Sequence, residues 1–152
     1  MRLMIFIADN MLGRLAKWLR LLGYDTLYLP HADDPGLARV ARAQDRVLLT
    51  RDVELTRRRG VLHLLIESEK VGEQVSQVFR AFKLSTREAF SRCAECNQRL
   101  EVVSKELVRG IVPPYVFSTQ ERFRQCAQCG RIYWRGTHWA RMVARIEDLL
   151  SD

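Results

Sequence analysis

The first half of the chain alternates between short apolar runs and stretches with apolar residues at helical spacing. The apolar runs predict buried strands at Leu3–Ala8, Thr26–Leu29, Val47–Thr50 and Val61–Ile66. Amphipathic helices are predicted between and after them, at Met11–Leu22, at Asp34–Ala43 and over residues 71–82. Because helical crossovers join parallel strands, this alternation predicts an α/β fold with a parallel sheet flanked by helices.

The pattern changes near residues 85–91. Beyond this point the strand-like stretches are short, at Leu100–Val103 and Arg131–Trp134, and Gly136-Thr137 precedes a last amphipathic helix. We therefore expect two units, an α/β domain over residues 1–88 and a small module with a C-terminal helix over residues 89–152.

The second unit carries all four cysteines of the chain, in two Cys-x-x-Cys pairs. These are Cys93-Ala94-Glu95-Cys96 and Cys126-Ala127-Gln128-Cys129. Four thiolates can complete a tetrahedral Zn²⁺ shell, which is the structural rather than the catalytic arrangement. A redox dithiol is the main alternative, but it usually needs only one pair. The spacing favours a structural zinc ribbon, and because four cysteines already fill the shell, His138 is not expected to be a ligand.

Charge and composition narrow the class of partner. The formal net charge is +7, and basic residues exceed acidic ones in both halves of the chain. This favours a polyanionic partner, although ordinary solvation is an alternative interpretation. The apolar run near the N-terminus is too short for a secretory or membrane segment, and no other run approaches the roughly 20 residues of a membrane span. We therefore expect a soluble cytoplasmic protein with no membrane partner, in which paired cysteines indicate metal rather than disulfides.

Acidic residues follow every predicted strand of the first unit. They are Asp9 after the first strand, Asp33 and Asp34 after the second, Asp52 after the third, and Glu67 and Glu69 after the fourth. Open parallel sheets bind ligands at the carboxyl ends of their strands, so these carboxylates should share one edge. Asp25 and Asp45 precede strands and belong to the opposite edge.

Clustered carboxylates suit Mg²⁺ or Mn²⁺, which can activate water for a phosphoryl displacement. The alternative is helix capping, which is the stronger interpretation for Asp33, Asp34 and Glu69 taken singly. Asp9 and Asp52 directly follow apolar strands and are the stronger candidates for metal ligands. The sequence has no Walker-type glycine-rich loop, which disfavours nucleoside-triphosphate chemistry.

Three segments resemble a PIN-like ribonuclease family whose name derives from the C-terminal domain of the Mut-seven exonuclease. Residues 8–25, with the sequence ADNMLGRLAKWLRLLGYD, resemble the opening motif of that family. Leu48-Leu49-Thr50-Arg51-Asp52 resembles its second motif. The four cysteines and Gly136-Thr137-His138-Trp139 resemble its C-terminal zinc ribbon. The likeness covers nearly the whole chain.

The resemblance implies a PIN-like fold with a carboxylate-bound Mg²⁺ or Mn²⁺ site for RNA cleavage, followed by a zinc ribbon. By position in the motifs, Asp9 and Asp52 would be catalytic metal ligands. Asp34, or its neighbour Asp33, would fill the middle acidic place. Glu67 is the expected fourth ligand from topology only, since no motif matches there.

The favoured function is therefore a metal-dependent ribonuclease that cleaves RNA internally or processes it. A noncatalytic RNA-binding or ribosome-associated protein is the alternative from a different class. A phospho-receiver domain ranks third, because it would want an acid pair after the first strand and a lysine after a fifth. The sequence offers Asp9-Asn10 and no clear fifth strand with such a lysine.

Overall fold

A four-stranded parallel sheet organises the first half of the chain. The computed structural model describes residues 4–151, so Leu3 of the predicted first strand lies outside the described residues. The strands are β1 (Phe6–Ala8), β2 (Thr26–Tyr28), β3 (Val47–Thr50) and β4 (His63–Leu65), in the order β2-β1-β3-β4. Each neighbouring pair is parallel, with Phe6 of β1 opposite Thr26 of β2 and Val47 of β3. The predicted α/β fold is confirmed.

Helices cover both faces of this sheet. They are α1 (Gly13–Leu21), α2 (Asp34–Gln44) and α3 (Val71–Phe82). Successive strand residues point to opposite faces, so Phe6 and Ala8 pack with α1 and α3, whereas Ile7 packs with Leu37 of α2. Both faces of β1 and β3 are buried, which explains why their sequences are continuously apolar rather than alternating.

A small antiparallel sheet follows. Its strands are β5 (Leu100–Val103), β6 (Phe123–Cys126) and β7 (Ile132–Tyr133), in the order β5-β6-β7, with α4 (Pro114–Thr119) between the first two. A separate apolar cluster of Val108, Val112 and Phe123 stabilises this part. The final helix, α5 (Thr137–Leu150), confirms the predicted C-terminal helix. Among the described residues, no helix is long and apolar enough to cross a membrane.

Helix α5 returns to the parallel sheet rather than packing only on the small one. Trp139 and Ile146 are buried in the same core as α1 and α3. The Trp139 ring stacks on Trp18 of α1, with ring centroids 6.2 Å apart and an angle of 13° between the ring planes. Trp18 is partly buried against this core. The chain thus closes the helical face of the sheet with a segment from its other end.

The first Cys-x-x-Cys turn attaches to the amino edge of the parallel sheet. Asn97 donates a side-chain hydrogen bond to Asp25 (Nδ2 to Oδ1, 2.7 Å) and accepts one from the backbone N–H of Thr26 (3.1 Å). Arg46 forms an ion pair with Asp25 at 2.9 Å. Buried Arg20 of α1 donates to the carbonyl oxygen of Ala94 at 2.8 Å. The cysteine-bearing turn is therefore fixed at the edge opposite the carboxyl ends of the strands.

Several predicted elements differ in their bounds, and two of these differences have a clear physical reason. The helix expected over Met11–Leu22 begins with a separate 3₁₀ turn at Asn10–Leu12, because the Asp9 carboxylate caps this first turn through the Asn10 N–H. The strand expected over Val61–Ile66 pairs only at His63–Leu65. It lies at the edge of the sheet, where none of the described strands pairs with its outer side, and its residues are only partly covered.

Candidate active site and cysteine centre

Asp9 is the most buried acidic residue at the carboxyl edge of the sheet. Asp9 follows β1 directly and is 6% exposed. Its backbone N–H donates to the carbonyl oxygen of Leu49 in β3 at 2.9 Å. One carboxylate oxygen, Oδ1, accepts the N–H of Asn10 at 2.7 Å, and the other, Oδ2, accepts the hydroxyl of Thr50 at 2.8 Å. The position and rotamer of this carboxylate are fixed from both sides.

Thr50 connects Asp9 to Asp52. The Thr50 side chain is fully buried at the end of β3, and while it donates to Asp9 its oxygen accepts the backbone N–H of Asp52 at 3.0 Å. The Asp52 carboxylate in turn accepts the N–H of Glu54 at 2.9 Å. Thr50 was not among the site residues predicted from the sequence. The available signal was a polar residue that closes an apolar strand and stands two positions before an acid.

The other predicted acids follow their strands, as the parallel topology requires. Asp33 is exposed and caps α2, because its Oδ1 accepts the N–H of Gly36 at 2.8 Å. Asp34 is the first residue of α2 and is partly buried. Glu67 follows β4, is exposed, and donates its backbone N–H to Gln77 (3.0 Å). Within residues 4–151 no hydrogen bond joins these three side chains to Asp9 or Asp52, and the acids form no group as close as the cysteines.

The charge of Asp9 is not balanced by a basic side chain within the part of the chain that the structure describes. Asp25, at the amino edge, is paired with Arg46, and Glu69 lies 3.7 Å from Arg51. A buried carboxylate without a cation is costly, and each Asp9 oxygen still has acceptor capacity beyond its single hydrogen bond. A hard oxygen donor of this kind fits Mg²⁺ or Mn²⁺.

The four cysteines form the second centre. One sulfur atom from each of Cys93, Cys96, Cys126 and Cys129 lies within 4.8 Å of the others. The sulfur atoms of Cys93 and Cys129 are 3.7 Å apart. A tetrahedral zinc site with Zn–S bonds of about 2.3 Å has sulfur–sulfur edges of about 3.8 Å. The sulfur positions therefore fit a four-coordinate Zn²⁺, whereas exposed His138 lies outside the cluster, as expected.

Hydrogen bonds around the cluster make its thiols unequal. Burial raises the pKa of Cys96 to about 12, whereas the backbone N–H of Arg131 lowers the pKa of Cys129 to about 7. The Tyr133 hydroxyl lies 3.1 Å from the Cys93 sulfur and accepts the N–H of Ala94 at 3.0 Å. Burial and this contact with Cys93 raise the pKa of Tyr133, so its hydroxyl stays protonated.

The fold and the two centres define an α/β protein with an acidic sheet edge and a separate tetracysteine module. A family model described as the Mut7-C RNAse domain matches residues 4–146, nearly the whole chain. The chain belongs to this ribonuclease family, and the resemblance stated from its motifs is confirmed. Comparison with curated proteins and with solved structures gave no match.

Proposed function

We propose that the protein is a metal-dependent ribonuclease that hydrolyses internal phosphodiester bonds of RNA with Mg²⁺ or Mn²⁺ bound at the carboxyl edge of its sheet. The observation that carries this proposal is the Asp9 carboxylate. It is buried, held by two donors, and has no basic partner among residues 4–151. Membership of a ribonuclease family supports RNA as the substrate.

The ligand set that we propose follows from the burial and position of each carboxylate. Asp9 and Asp52 are the principal ligands, since Thr50 connects them across β1 and β3. Asp34 is preferred to Asp33, because Asp34 is partly buried whereas Asp33 is exposed and caps α2. Glu67 is the fourth candidate, as an exposed side chain at the end of β4.

The chain supplies negative ligands and fixed geometry to the reaction. Asp9 and Asp52 would hold a divalent cation at this edge, and such an ion would supply a more acidic bound water and stabilise the negative charge that develops on the phosphoryl oxygens. The Thr50 hydroxyl orients the carboxylate of Asp9. Arg51, whose Nη2 lies 3.4 Å from the carbonyl oxygen of Glu67, places positive charge beside the edge where a phosphate would approach.

The tetracysteine centre has a different role in this proposal. Four sulfur ligands leave no open coordination position for water or substrate, so zinc there would be structural. Its contribution is to stabilise the β5–β7 module and the turn that carries Asn97. The chemistry then belongs to the carboxyl edge alone.

A noncatalytic RNA-binding protein is the second candidate function. One observation favours it: within the described residues, only the cysteines gather three or more candidate metal ligands closely. Exposed Tyr115 and Ile111 on the small module would offer apolar contacts to a partner in that case. The two candidates differ in whether RNA is cut.

The test is cleavage of a mixed RNA pool by protein dialysed free of loosely bound divalent ions and then supplied with Mn²⁺ or Mg²⁺. Asp9→Asn should lower the rate on the order of 10²-fold or more, because it removes a negative ligand oxygen. Asp45→Asn is the control, because it makes the same charge change at the amino edge and should leave the rate unchanged. Asp45 has a left-handed backbone conformation, which asparagine also adopts. Full activity of Asp9→Asn would overturn the acidic site. Absence of cleavage by the wild type with either metal would favour the noncatalytic binder.

A further inference from the structure

A basic groove runs between α1 and α5. It has a volume of about 310 Å³, and its basic residues are Arg14, His138, Arg141 and Arg145. Trp18, Val71 and Met142 form the apolar part of its lining, and none of the described residues that line it is acidic. A concave surface with one sign of charge concentrates field lines and attracts ions of the opposite sign.

The helical spacing of these residues explains why they share one groove. Arg14 and Trp18 are one turn apart on α1, and His138, Arg141 and Arg145 are three and four residues apart on α5. A neighbouring side of α5 is fixed by burial of Trp139 and Ile146. The stacked pair Trp18 and Trp139 sets the distance between the two helices, so the groove is formed before any partner binds.

The positive charges of the groove are available to a ligand. None of Arg14, Arg141 and Arg145 forms an ion pair within the described chain, and Arg14 and Arg141 are exposed. By contrast Lys17, also on α1, is paired with Glu95 at 3.0 Å. Guanidinium groups bind phosphate oxygens with two donors at once.

The groove continues toward the carboxyl edge of the sheet. At one end, Arg14 lies in the first turn of α1, directly after the 3₁₀ turn that Asp9 caps. At the other, Arg145 also lines a second cavity of about 510 Å³ that includes Glu67. Its guanidinium lies against Gly72 at the start of α3, where an added Cβ would come within 2.9 Å of the Arg145 Cζ atom. The same arginine therefore borders both the groove and the acidic edge.

We propose that the groove between α1 and α5 binds the phosphates of single-stranded RNA and leads the strand to the acidic edge. What happens at that edge rests on the proposed function, but binding in the groove does not. The groove volume is at the lower end of that of sites for small ligands, which suits one strand rather than a duplex. The partly exposed Trp18 side chain offers an apolar contact for a base.

The test is fluorescence anisotropy with a short, mixed-sequence single-stranded RNA, in the Asp9→Asn background and without added divalent ions, so that the RNA stays intact. Arg14→Gln and Arg141→Gln should each raise the Kd about fivefold at about 0.1 M salt, which is the effect of losing one phosphate contact on a single strand. The two substitutions together should raise the Kd about 25-fold. The slope of log Kd against log salt should fall by about 0.7 for each substitution. Arg39→Gln, which removes an exposed charge from α2 on the other face of the sheet, is the matched control.

Wild-type affinity in the double variant would overturn the proposal, and so would an equal loss in Arg39→Gln. Binding of a blunt RNA duplex with the same affinity and the same sensitivity to both substitutions would overturn the assignment to a single strand. Thermal denaturation checks that the variants fold. If the groove variants bind normally while the wild type still cleaves in an Asp9-dependent way, the groove fails and the proposed function stands. If the groove substitutions weaken RNA binding but the wild type cleaves no RNA, the groove proposal stands and the proposed function fails.

Discussion

The side-chain hydroxyl of Thr50 donates a 2.8 Å hydrogen bond to the carboxylate of Asp9, across the neighbouring strands β3 and β1. The same oxygen accepts the N–H of Asp52 at 3.0 Å. Because Thr50 is fully buried, no water competes for its hydroxyl. One uncharged residue therefore orients the first candidate ligand and fixes the backbone of the second.

We expect Thr50→Val to lower both stability and cleavage, whereas Thr50→Ser should keep both close to wild type. Valine has nearly the same shape but leaves an oxygen of Asp9 and the N–H of Asp52 without their partner, at a cost of about 1–3 kcal/mol. The Mn²⁺ concentration for half-maximal cleavage should rise in Thr50→Val, because the Asp9 carboxylate that binds the metal is no longer oriented. Thermal denaturation and a Mn²⁺ titration measure the two effects. Equal behaviour of the valine and serine variants would contradict the orienting role.

The cysteine centre should hold one Zn²⁺ per chain, measured by elemental analysis of the purified protein. Cys126→Ser should lose this zinc and unfold the β5–β7 module, because metal binding supplies folding free energy to such sites. Zinc affinity should fall as the pH decreases, since the ligands are thiolates. A disulfide-bonded protein without zinc would show that the cysteines have another role.

Tyr133→Phe should weaken zinc binding by about 10- to 100-fold, the usual effect of removing a group that hydrogen-bonds to a metal ligand. The phenylalanine keeps the ring but removes the contacts with the Cys93 sulfur and the N–H of Ala94. Competition with a colorimetric chelator measures the affinity. Tyr115→Phe is the matched control, because that side chain is 77% exposed on α4. An unchanged affinity in Tyr133→Phe would limit the tyrosine to packing.

Asp25→Asn should destabilise the fold at neutral pH and not in acid. Burial alone would raise the pKa of Asp25, but hydrogen bonds from Arg46 and Asn97 outweigh it, so the pKa lies below its ordinary value. The stabilisation is therefore complete above the unfolded-state pKa of about 3.9 and is lost as the pH falls through the lower folded-state pKa. Urea denaturation of both proteins should show a difference of about 2 kcal/mol at neutral pH, the value of hydrogen bonds to a charged group, and this difference should shrink in acid. A difference that grows on acidification would contradict this assignment.

Gly23→Ala should destabilise the protein by more than a typical surface substitution. Gly23 ends α1 with φ of 101°, and an added Cβ would overlap the backbone of Glu88, with the Glu88 carbonyl carbon at 2.8 Å. Neither the backbone conformation nor the neighbouring chain can relax easily, so we expect a loss of about 2–4 kcal/mol. Thermal denaturation measures it. Gly130→Ala, at φ of 81° but with nothing within 4 Å, separates the cost of the conformation from that of the overlap.

Local patterns were sufficient for the elements that are buried on a definite face. The bounds of β3 (Val47–Thr50) and α3 (Val71–Phe82) were predicted as observed, because an apolar run and a helical stripe each specify one solution. The carboxyl edge followed from the same alternation, since parallel strands place the residues after them on one side.

Features that depend on distant partners could not be predicted. Strand β6 (Phe123–Cys126) has no alternating pattern and forms through pairing with β5. Helix α4, between these strands, is too short to show a helical pattern in the sequence. Sequence could not separate Asp33 from Asp34, because only the hydrogen bond to Gly36 shows which carboxylate caps the helix. The groove was also hidden, since it needs α5 to lie beside α1.

The placement of α5 has a consequence for synthesis of the chain. The parallel sheet and α1–α3 are complete by Phe82, yet part of their apolar cover, Trp139 and Ile146, is translated much later. At about 5–20 residues per second, several seconds pass before α5 can close over Trp18. A nascent chain thus carries its acidic edge while one wall of the basic groove is still missing. A nascent chain on the ribosome, surrounded by ribosomal RNA, would therefore bind RNA only weakly until α5 has been made and has packed against α1.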